Sequence, residues 1–199
     1  MSFPWHESLN MRNFRTEGIV IRRRNFQDAD RIITIFTKEH GKLQIKASGI
    51  RKISSRRSPH VELLNYSIVN LYNGNKFPIL TEAQTIESFS VIKADLEKIG
   101  LAYHLCELID GLCPENQENR GVFELLKNTL SKLSCHSESF DSLRSVGITK
   151  IINEFEVELL SLLGYWNKAD FLTDKVDIDH FVENILERKL KSKAIFAKL

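Results

Sequence analysis

Along roughly the first 88 residues the apolar side chains tend to recur at every second position, and beyond that point they recur at every third or fourth. The runs Thr16–Arg22, Arg31–Thr37, Lys42–Ser48, Glu62–Tyr72 and Phe77–Ile86 are rich in β-branched and aromatic residues. They are separated by turn chemistry at Gly41, Gly49, Ser58-Pro59 and Asn73-Gly74, so the pattern predicts five strands. In the third run Leu43, Ile45 and Ala47 alternate with Lys42, Gln44 and Lys46, which predicts an apolar row on one face and a cationic row on the other. Asn73 and Gly74 both accept positive φ, and predict a tight hairpin between the fourth and fifth strands. Five short strands in so little chain suit a small closed barrel, because closure removes exposed sheet edges.

After Ser88 the spacing is helical. Leu96, Ile99, Tyr103, Leu105, Leu108, Ile109 and Leu112 form one stripe that Pro114 ends, and Val122, Phe123, Leu126, Leu130 and Leu133 form a second. A third runs from Phe140 to Leu163, with Gly147 as a candidate break and Gly164 as its close. A fourth runs from Asp177 or Asp179 through Phe181, Val182, Ile185, Leu186 and Leu190. The expected organisation is an α+β multidomain chain. Residues 1–10 form a frayed extension, since Met11 is itself a plausible start. Residues 11–88 form a five-stranded β-barrel, for which the oligonucleotide-binding (OB) fold is the commonest choice, and 89–199 form an all-α helical domain.

Charge divides at the same place. The net charge of +2 conceals a net +6 over residues 1–88 and −4 over the remainder. The span Arg12–Arg57 holds 13 basic residues against four acids, Glu17, Asp28, Asp30 and Glu39. Its densest part joins Arg22, Arg23, Arg24, Arg31, Lys42 and Lys46 to a loop carrying Arg51, Lys52, Arg56 and Arg57. Such a cluster reads as a phosphate-tracking surface, because Lys and Arg release counterions from nucleic acid, and Gly49 and the loop serines let the backbone approach closely. The competing reading is an ordinary solvated face. Tyr66, Tyr72, Phe36 and Phe26 are candidate stacking platforms, although aromatics in short strands more often serve the core.

Catalytic constellations are weak. Asp28 with Asp30, and Glu39 with His40, have metal-binding chemistry, but an acidic pair between basic strands is more simply a turn with local counter-charge. His104, Cys106, Cys113, Cys135 and His136 supply donors for zinc without a zinc spacing, and read better as reduced, structural thiols and their neighbours. Glycine-rich phosphate loops are absent, so no cofactor and no enzymatic activity are expected. With 42% hydrophobic and 27% charged residues and only 9 Gly and 4 Pro, the chain is globular. It has no apolar run near the roughly 18–20 residues that cross a bilayer and no signal peptide in residues 1–10, so a cytoplasmic location is expected. The basic end, Arg188, Lys189, Lys191, Lys193 and Lys198, suits either an acidic partner or the negative end of a helix dipole.

With these residues in view, the chain resembles the RecO family of bacterial recombination mediators over nearly its whole length from Met11. The resemblance rests on Thr16-Glu-Gly-Ile-Val-Ile-Arg-Arg-Arg24, Asp30-Arg-Ile-Ile-Thr-Ile-Phe-Thr37, Glu39-His-Gly-Lys42, Ala47-Ser-Gly-Ile-Arg51, Ser55-Arg56 and Leu80-Thr-Glu-Ala83. Further on, Phe155-Glu-Val-Glu-Leu-Leu-Ser-Leu-Leu-Gly-Tyr165 and Leu190-Lys-Ser-Lys193 look like its late helix and C-terminal signature. The resemblance implies an OB-fold domain on a helical domain, binding of single- and double-stranded DNA, and annealing of complementary strands. It also implies contact with the acidic tail of single-stranded DNA-binding protein, and work with RecR to load RecA, on the bacterial nucleoid. It makes Arg22, Arg23, Arg24, Arg31, Lys42, Arg51 and Arg56 DNA-contact candidates, and Lys191 and Lys193 candidates for holding the acidic tail. Many members carry a four-cysteine zinc module after the Leu-Gly-Tyr segment; Trp166–Val176 here has no cysteine, so a zinc-free member is expected. Other readings kept open are an RNA-binding barrel, a metal-dependent nuclease at Asp28 and Asp30, and a scaffold for an acidic protein.

Overall fold

The computed structural model of the chain describes residues 12–135, 141–165 and 178–192. The expected extension at residues 1–10, the segment Trp166–Val176, His136, Lys193 and Lys198 lie outside the described residues. The chain forms two compact units. One comprises the described residues to Ser88 together with Glu115–Glu118, and the other comprises 89–114 and the described residues from Asn119 onward. The stretch assigned to helices is therefore interrupted by four residues that return to the first unit.

In the first unit five strands close into a barrel: β1 (Asn13–Phe26), β2 (Asp30–Thr37), β3 (Gly41–Ala47), β4 (Tyr66–Tyr72) and β5 (Ile79–Glu87), in spatial order β1-β2-β3-β5-β4. All neighbours are antiparallel except β3 and β5, which is the OB arrangement. β1 is long because it serves two partners, pairing with β4 over Asn13–Ile19 and with β2 from Gly18 onward. It turns that corner at Gly18, where an added Cβ would lie 2.7 Å from the Ile35 side chain, and at a bulge between Val20 and Arg22. Val20, Ile33, Ile35, Leu43, Ile45, Val69, Leu71 and Leu80 fill the interior, and Ile50 and Val61 from the β3–β4 connection join them. That connection includes a 3₁₀ turn at Ser58–Val61.

Three expectations fail locally. The hairpin at Asn73-Gly74 is not tight: β4 ends at Tyr72, β5 begins at Ile79, and neither residue takes positive φ. The Asn73 N–H instead donates to the Arg12 carbonyl at 2.9 Å, and the connection spends six residues reaching Pro78, whose carbonyl accepts from Lys46 N–H at 2.8 Å. Lys42 does not stand in an open cationic row, since it is 7% exposed. Residues 115–118 run beside it, with a parallel bridge from Lys42 to Glu115 and the Asn116 N–H donating to the Lys42 carbonyl at 2.9 Å. Gly41 (φ +64°) makes room, because a Cβ there would sit 1.8 Å from the Gln117 carbonyl oxygen. Third, the last helix ends before the basic residues, as described next.

The second unit holds α1 (Ser90–Lys93), α2 (Leu96–Leu112), α3 (Arg120–Cys135), α4 (Asp141–Leu162) and α5 (Ile178–Leu186). Asp95 caps α2 by accepting from the N–H groups of Glu97 and Lys98, at 3.0 and 3.2 Å. α2 buries residues around most of its circumference, whereas α3 buries the single stripe Val122, Phe123, Leu126, Leu130 and Leu133. α4 runs through Gly147 without a break and closes at Gly164 (φ +77°), whose neighbour Tyr165 donates its N–H to the Leu160 carbonyl at 2.9 Å. α5 stops at Leu186 because Glu187 takes φ +52°, so Arg188, Lys189 and Lys191 lie beyond the helix. Among the described residues no helix is long and apolar enough to cross a membrane.

The thinnest seam of the barrel is β3–β5, paired at Lys46 and Ile79. Arg57 spans it: one guanidinium nitrogen donates to the Leu80 carbonyl and the other to the Ser48 carbonyl at 2.7 Å. Charge-assisted bonds to two carbonyls make Arg57→Ala cost about 2–3 kcal/mol. Lys in its place cannot fork to both carbonyls. In urea unfolding, Arg57→Ala and Arg57→Lys are expected to lower the midpoint while Arg56→Ala leaves it in place; equal midpoints for all three would remove Arg57 from the seam.

Candidate nucleic-acid interface

The cations predicted from the sequence separate into three environments. Arg22, Arg24, Arg51, Lys52 and Arg56 are exposed. Arg23, Arg31, Lys46 and Arg57 are half-buried and engaged: Arg23 pairs with Glu62, Arg31 Nε donates to Asn25 Oδ1 at 3.2 Å, and Arg57 holds the seam. Lys42 is buried. The expected surface is thus narrower than the charge count suggests.

Strand pairing assembles much of what remains. Arg24 is opposite Ile32, and Ile32 opposite Lys46, so Arg24 and Lys46 share one face two strands apart, about 10 Å across the sheet. Arg22 lies on that face too, opposite Thr34. Lys46 Nζ sits 5.4 Å from the centre of the Phe26 ring. Of the four aromatic candidates, Phe36 is fully buried and Tyr66 is buried with its hydroxyl donating to Glu17 at 2.6 Å, whereas Phe26 and Tyr72 are 37% and 42% exposed.

Asp30 organises this end of the barrel. Its Oδ1 accepts the Gly49 N–H at 2.7 Å and its Oδ2 pairs with Lys46 Nζ at 3.1 Å. Next to it the Arg51 N–H donates to the Ala29 carbonyl at 3.0 Å and the Arg51 guanidinium to the Asp28 carbonyl at 3.2 Å. The β1–β2 turn and the start of the basic loop are therefore one stitched structure, with Lys46 paired to the Asp30 carboxylate, Lys52 near enough to act on it by charge, and Arg51 tied to the turn at Asp28. The Gly49 hydrogen bond holds the Asp30 carboxyl below its ordinary range; partial burial opposes this, and the bond from Lys46 and the charges of Lys46 and Lys52 assist it. Asp30 is a counter-charge and a loop anchor, and among the described residues no group of three His, Cys, Asp or Glu side chains is placed to hold a metal.

The far end of the loop reaches a second feature that the sequence reading did not single out. Arg56, Arg57 and His60 line a cleft of about 430 Å³ with Arg15, Asn70 and Glu82. Arg15 was invisible as a site residue because its place beside Asn70 depends on the β1–β4 register.

In the helical unit, Cys106 and Cys113 are buried, and burial of Cys106, with Asp110 nearby, pushes its thiol up to about 12. His104 contributes to a buried polar chain, with Nδ1 2.8 Å from Ser192 Oγ and Nε2 2.8 Å from Glu156 Oε1. Glu107 accepts the N–H groups of Lys191 and Ser192, at 3.0 and 2.8 Å, and pairs with Arg188 at 3.0 Å. Burial works against ionisation of Glu107, but these bonds outweigh it and keep its carboxyl below the usual value. The Lys191 residue is exposed while its backbone is tied down. Arg188, Lys189 and Lys191 of the basic end lie just past the C-terminus of α5, where the Arg188 N–H donates to the Glu183 carbonyl at 3.3 Å.

The model for the Recombination protein O N terminal family matches residues 11–89, and that for Recombination protein O C terminal matches residues 93–166. Curated relatives named DNA repair protein RecO include one from Roseiflexus sp., 36% identical over 77% of this chain and 51% of its own length. Others are from Symbiobacterium thermophilum, 33% identical over 76% of this chain and 57% of that protein, and Acetivibrio thermocellus, 36% identical over 78% and 59%. The chain thus matches between about half and three-fifths of the length of these relatives.

Because the folded value of Asp30 is depressed, its carboxylate stabilises the loop at pH values above the ordinary range near 4, and that contribution fades as pH falls through the lowered value. Amide exchange at Gly49 and Arg51 should be slow at pH 6 and lose protection on acidification. Asp30→Ala is expected to remove protection at both pH values, whereas protection unchanged in that variant would show that Asp30 does not anchor the loop.

Proposed function

The chain belongs to the RecO family, and from that premise we propose that it is a non-catalytic DNA-binding mediator of recombination and repair. The observation that carries this reading is the set of exposed cations that β1 and the basic loop carry on an OB barrel, with the loop fastened to the β1–β2 turn through Asp30 and Asp28. These charges neutralise phosphates on two strands, or on a strand and a duplex, and lower the repulsion that keeps complementary bases apart. Base pairing then supplies the specificity, and no covalent step is needed.

In this reading the exposed cations Arg22, Arg24, Arg51, Lys52 and Arg56 track the backbone, and Phe26 or Tyr72 offers a stacking face. Arg57 and Lys42 serve the barrel. The helical unit recruits the protein to DNA coated by single-stranded DNA-binding protein, taking the acidic tail of that protein with Lys191 and, from outside the described residues, Lys193. RecR is the partner in loading RecA on the exposed strand.

Fluorescence anisotropy of a labelled single strand over a salt series, followed by addition of its complement, tests the reading. Neutralising about four to six phosphates predicts a slope of log affinity against log salt near −3 to −4, with accelerated annealing. The combined change Arg51→Glu, Lys52→Glu and Arg56→Glu is expected to flatten that slope and slow annealing with the fold intact. Absence of binding at low salt, or a tighter grip on matched RNA than on DNA, would overturn the proposal.

A further inference from the structure

Ile53 is the most exposed large apolar side chain among the described residues: its relative exposure is 108%, against 67% for the next, Leu96. It sits between Lys52 and Ser54 at the tip of the basic loop, where burial worth roughly 2–3 kcal/mol is forgone and a serine would serve the free protein as well. A single exposed aliphatic side chain is common on protein surfaces. What distinguishes this one is how it is held and what surrounds it.

Two consecutive turns carry it. The Lys52 N–H donates to the Gly49 carbonyl at 3.2 Å and the Ser55 N–H to the Lys52 carbonyl at 2.9 Å, which puts Ile53 at the second position of a closed four-residue turn. Below the turn the loop is fixed on one side by Gly49 to Asp30 and Arg51 to Ala29 and Asp28, and on the other by Arg57 to Ser48 and Leu80. The tip is thus a braced apolar point with Arg51 and Lys52 before it and Arg56 after it. The order cation, apolar point, cation matches the cross-section of a nucleic-acid step, in which the flat apolar faces of two stacked bases lie between phosphates.

We propose that Ile53 is a wedge that enters a base step of bound DNA and unstacks it, while Arg51, Lys52 and Arg56 hold the flanking phosphates. This rests on the reading of the barrel as a DNA-binding surface and adds to it a mechanical role. Neutralising phosphates brings two strands together, but a stacked strand still has to open its bases before they can re-pair. Inserted aliphatic side chains unstack a step at a cost of a few kcal/mol, recovered from the contacts that the distortion permits. The bracing matters because a wedge on a free loop would fold back rather than push.

The test uses the full chain and oligonucleotides bearing 2-aminopurine, whose fluorescence rises when it is unstacked, with binding followed separately by anisotropy. The wild-type protein is expected to raise the fluorescence of both single strand and duplex. Ile53→Ser should lose most of that rise, while its affinity falls by less than about tenfold and its salt slope is unchanged, because no phosphate contact is removed. Ile53→Leu should restore the rise, and thermal melts should be the same for all three proteins, since the side chain packs against nothing that needs it. A full fluorescence rise with Ile53→Ser overturns the wedge and leaves the DNA-binding reading standing. No anisotropy change with any variant overturns both. Co-sedimentation with vesicles of phosphatidylcholine and phosphatidylglycerol that depends on Ile53, with no Ile53-dependent fluorescence, would overturn the wedge in favour of a lipid surface.

Discussion

A five-stranded barrel has to close, and here closure depends on a seam where β3 and β5 are paired at one residue pair, Lys46 and Ile79. The Pro78 carbonyl accepts the Lys46 N–H, and Arg57 bridges the Ser48 and Leu80 carbonyls on the two sides. Without that bridge two carbonyls in a partly buried place would lack those partners, and the loop between β3 and β4 would lose its second anchor. Everything the basic surface offers is hung on this geometry, since the loop leaves the barrel at the end of β3 and returns to it through Arg57.

The loop therefore divides its own charges between construction and display. Arg57 is spent on backbone carbonyls, Lys46 on Asp30, and only the remainder faces outward. Like charges packed at this density repel one another, and the repulsion is tolerable because it is met locally by Asp30 and screened by solvent within a Debye length of about 8–10 Å. Asp30 spends one oxygen on the Gly49 N–H and the other on Lys46, so it fastens the loop while offsetting one cation of the cluster. Salt acts on both roles in opposite proportion: the exposed charges are screened strongly, the half-buried anchors weakly.

The parts of this structure legible in the sequence are those set by local periodicity. Alternation located five strands, and the stripes through α2 and α3 named buried residues such as Leu105, Leu126 and Leu130 correctly. What stayed hidden depends on tertiary pairing. Lys42 alternates like a surface residue and is covered because residues 115–118 return to lie beside β3, a connection that no local pattern encodes. Asn73-Gly74 has hairpin chemistry, yet the chain needs a longer path to set the parallel seam with β3. Leu190 continues the stripe of α5 and is buried, but outside the helix, because Glu187 turns the backbone first. Arg57 could not be told from Arg56 by composition, since the difference lies in which carbonyls each one reaches.

Both units solve one problem in the same way. A basic segment left to itself is extended and mobile, because its charges repel and its side chains have no core to join, so binding an anion would first have to order it. In the barrel a carboxylate, Asp30, accepts a backbone N–H of the segment that carries Arg51 and Lys52; in the helical unit Glu107 accepts two from the segment that carries Lys191. Each carboxylate takes hold of the backbone of its segment and also pairs with one cation, Asp30 with Lys46 and Glu107 with Arg188, and in each case hydrogen bonding holds its carboxyl below the ordinary range. The ordering cost is thus met during folding rather than at the moment of binding. An acid in a basic segment's neighbourhood lowers the net charge on paper, and here it also fixes the backbone from which the remaining cations project.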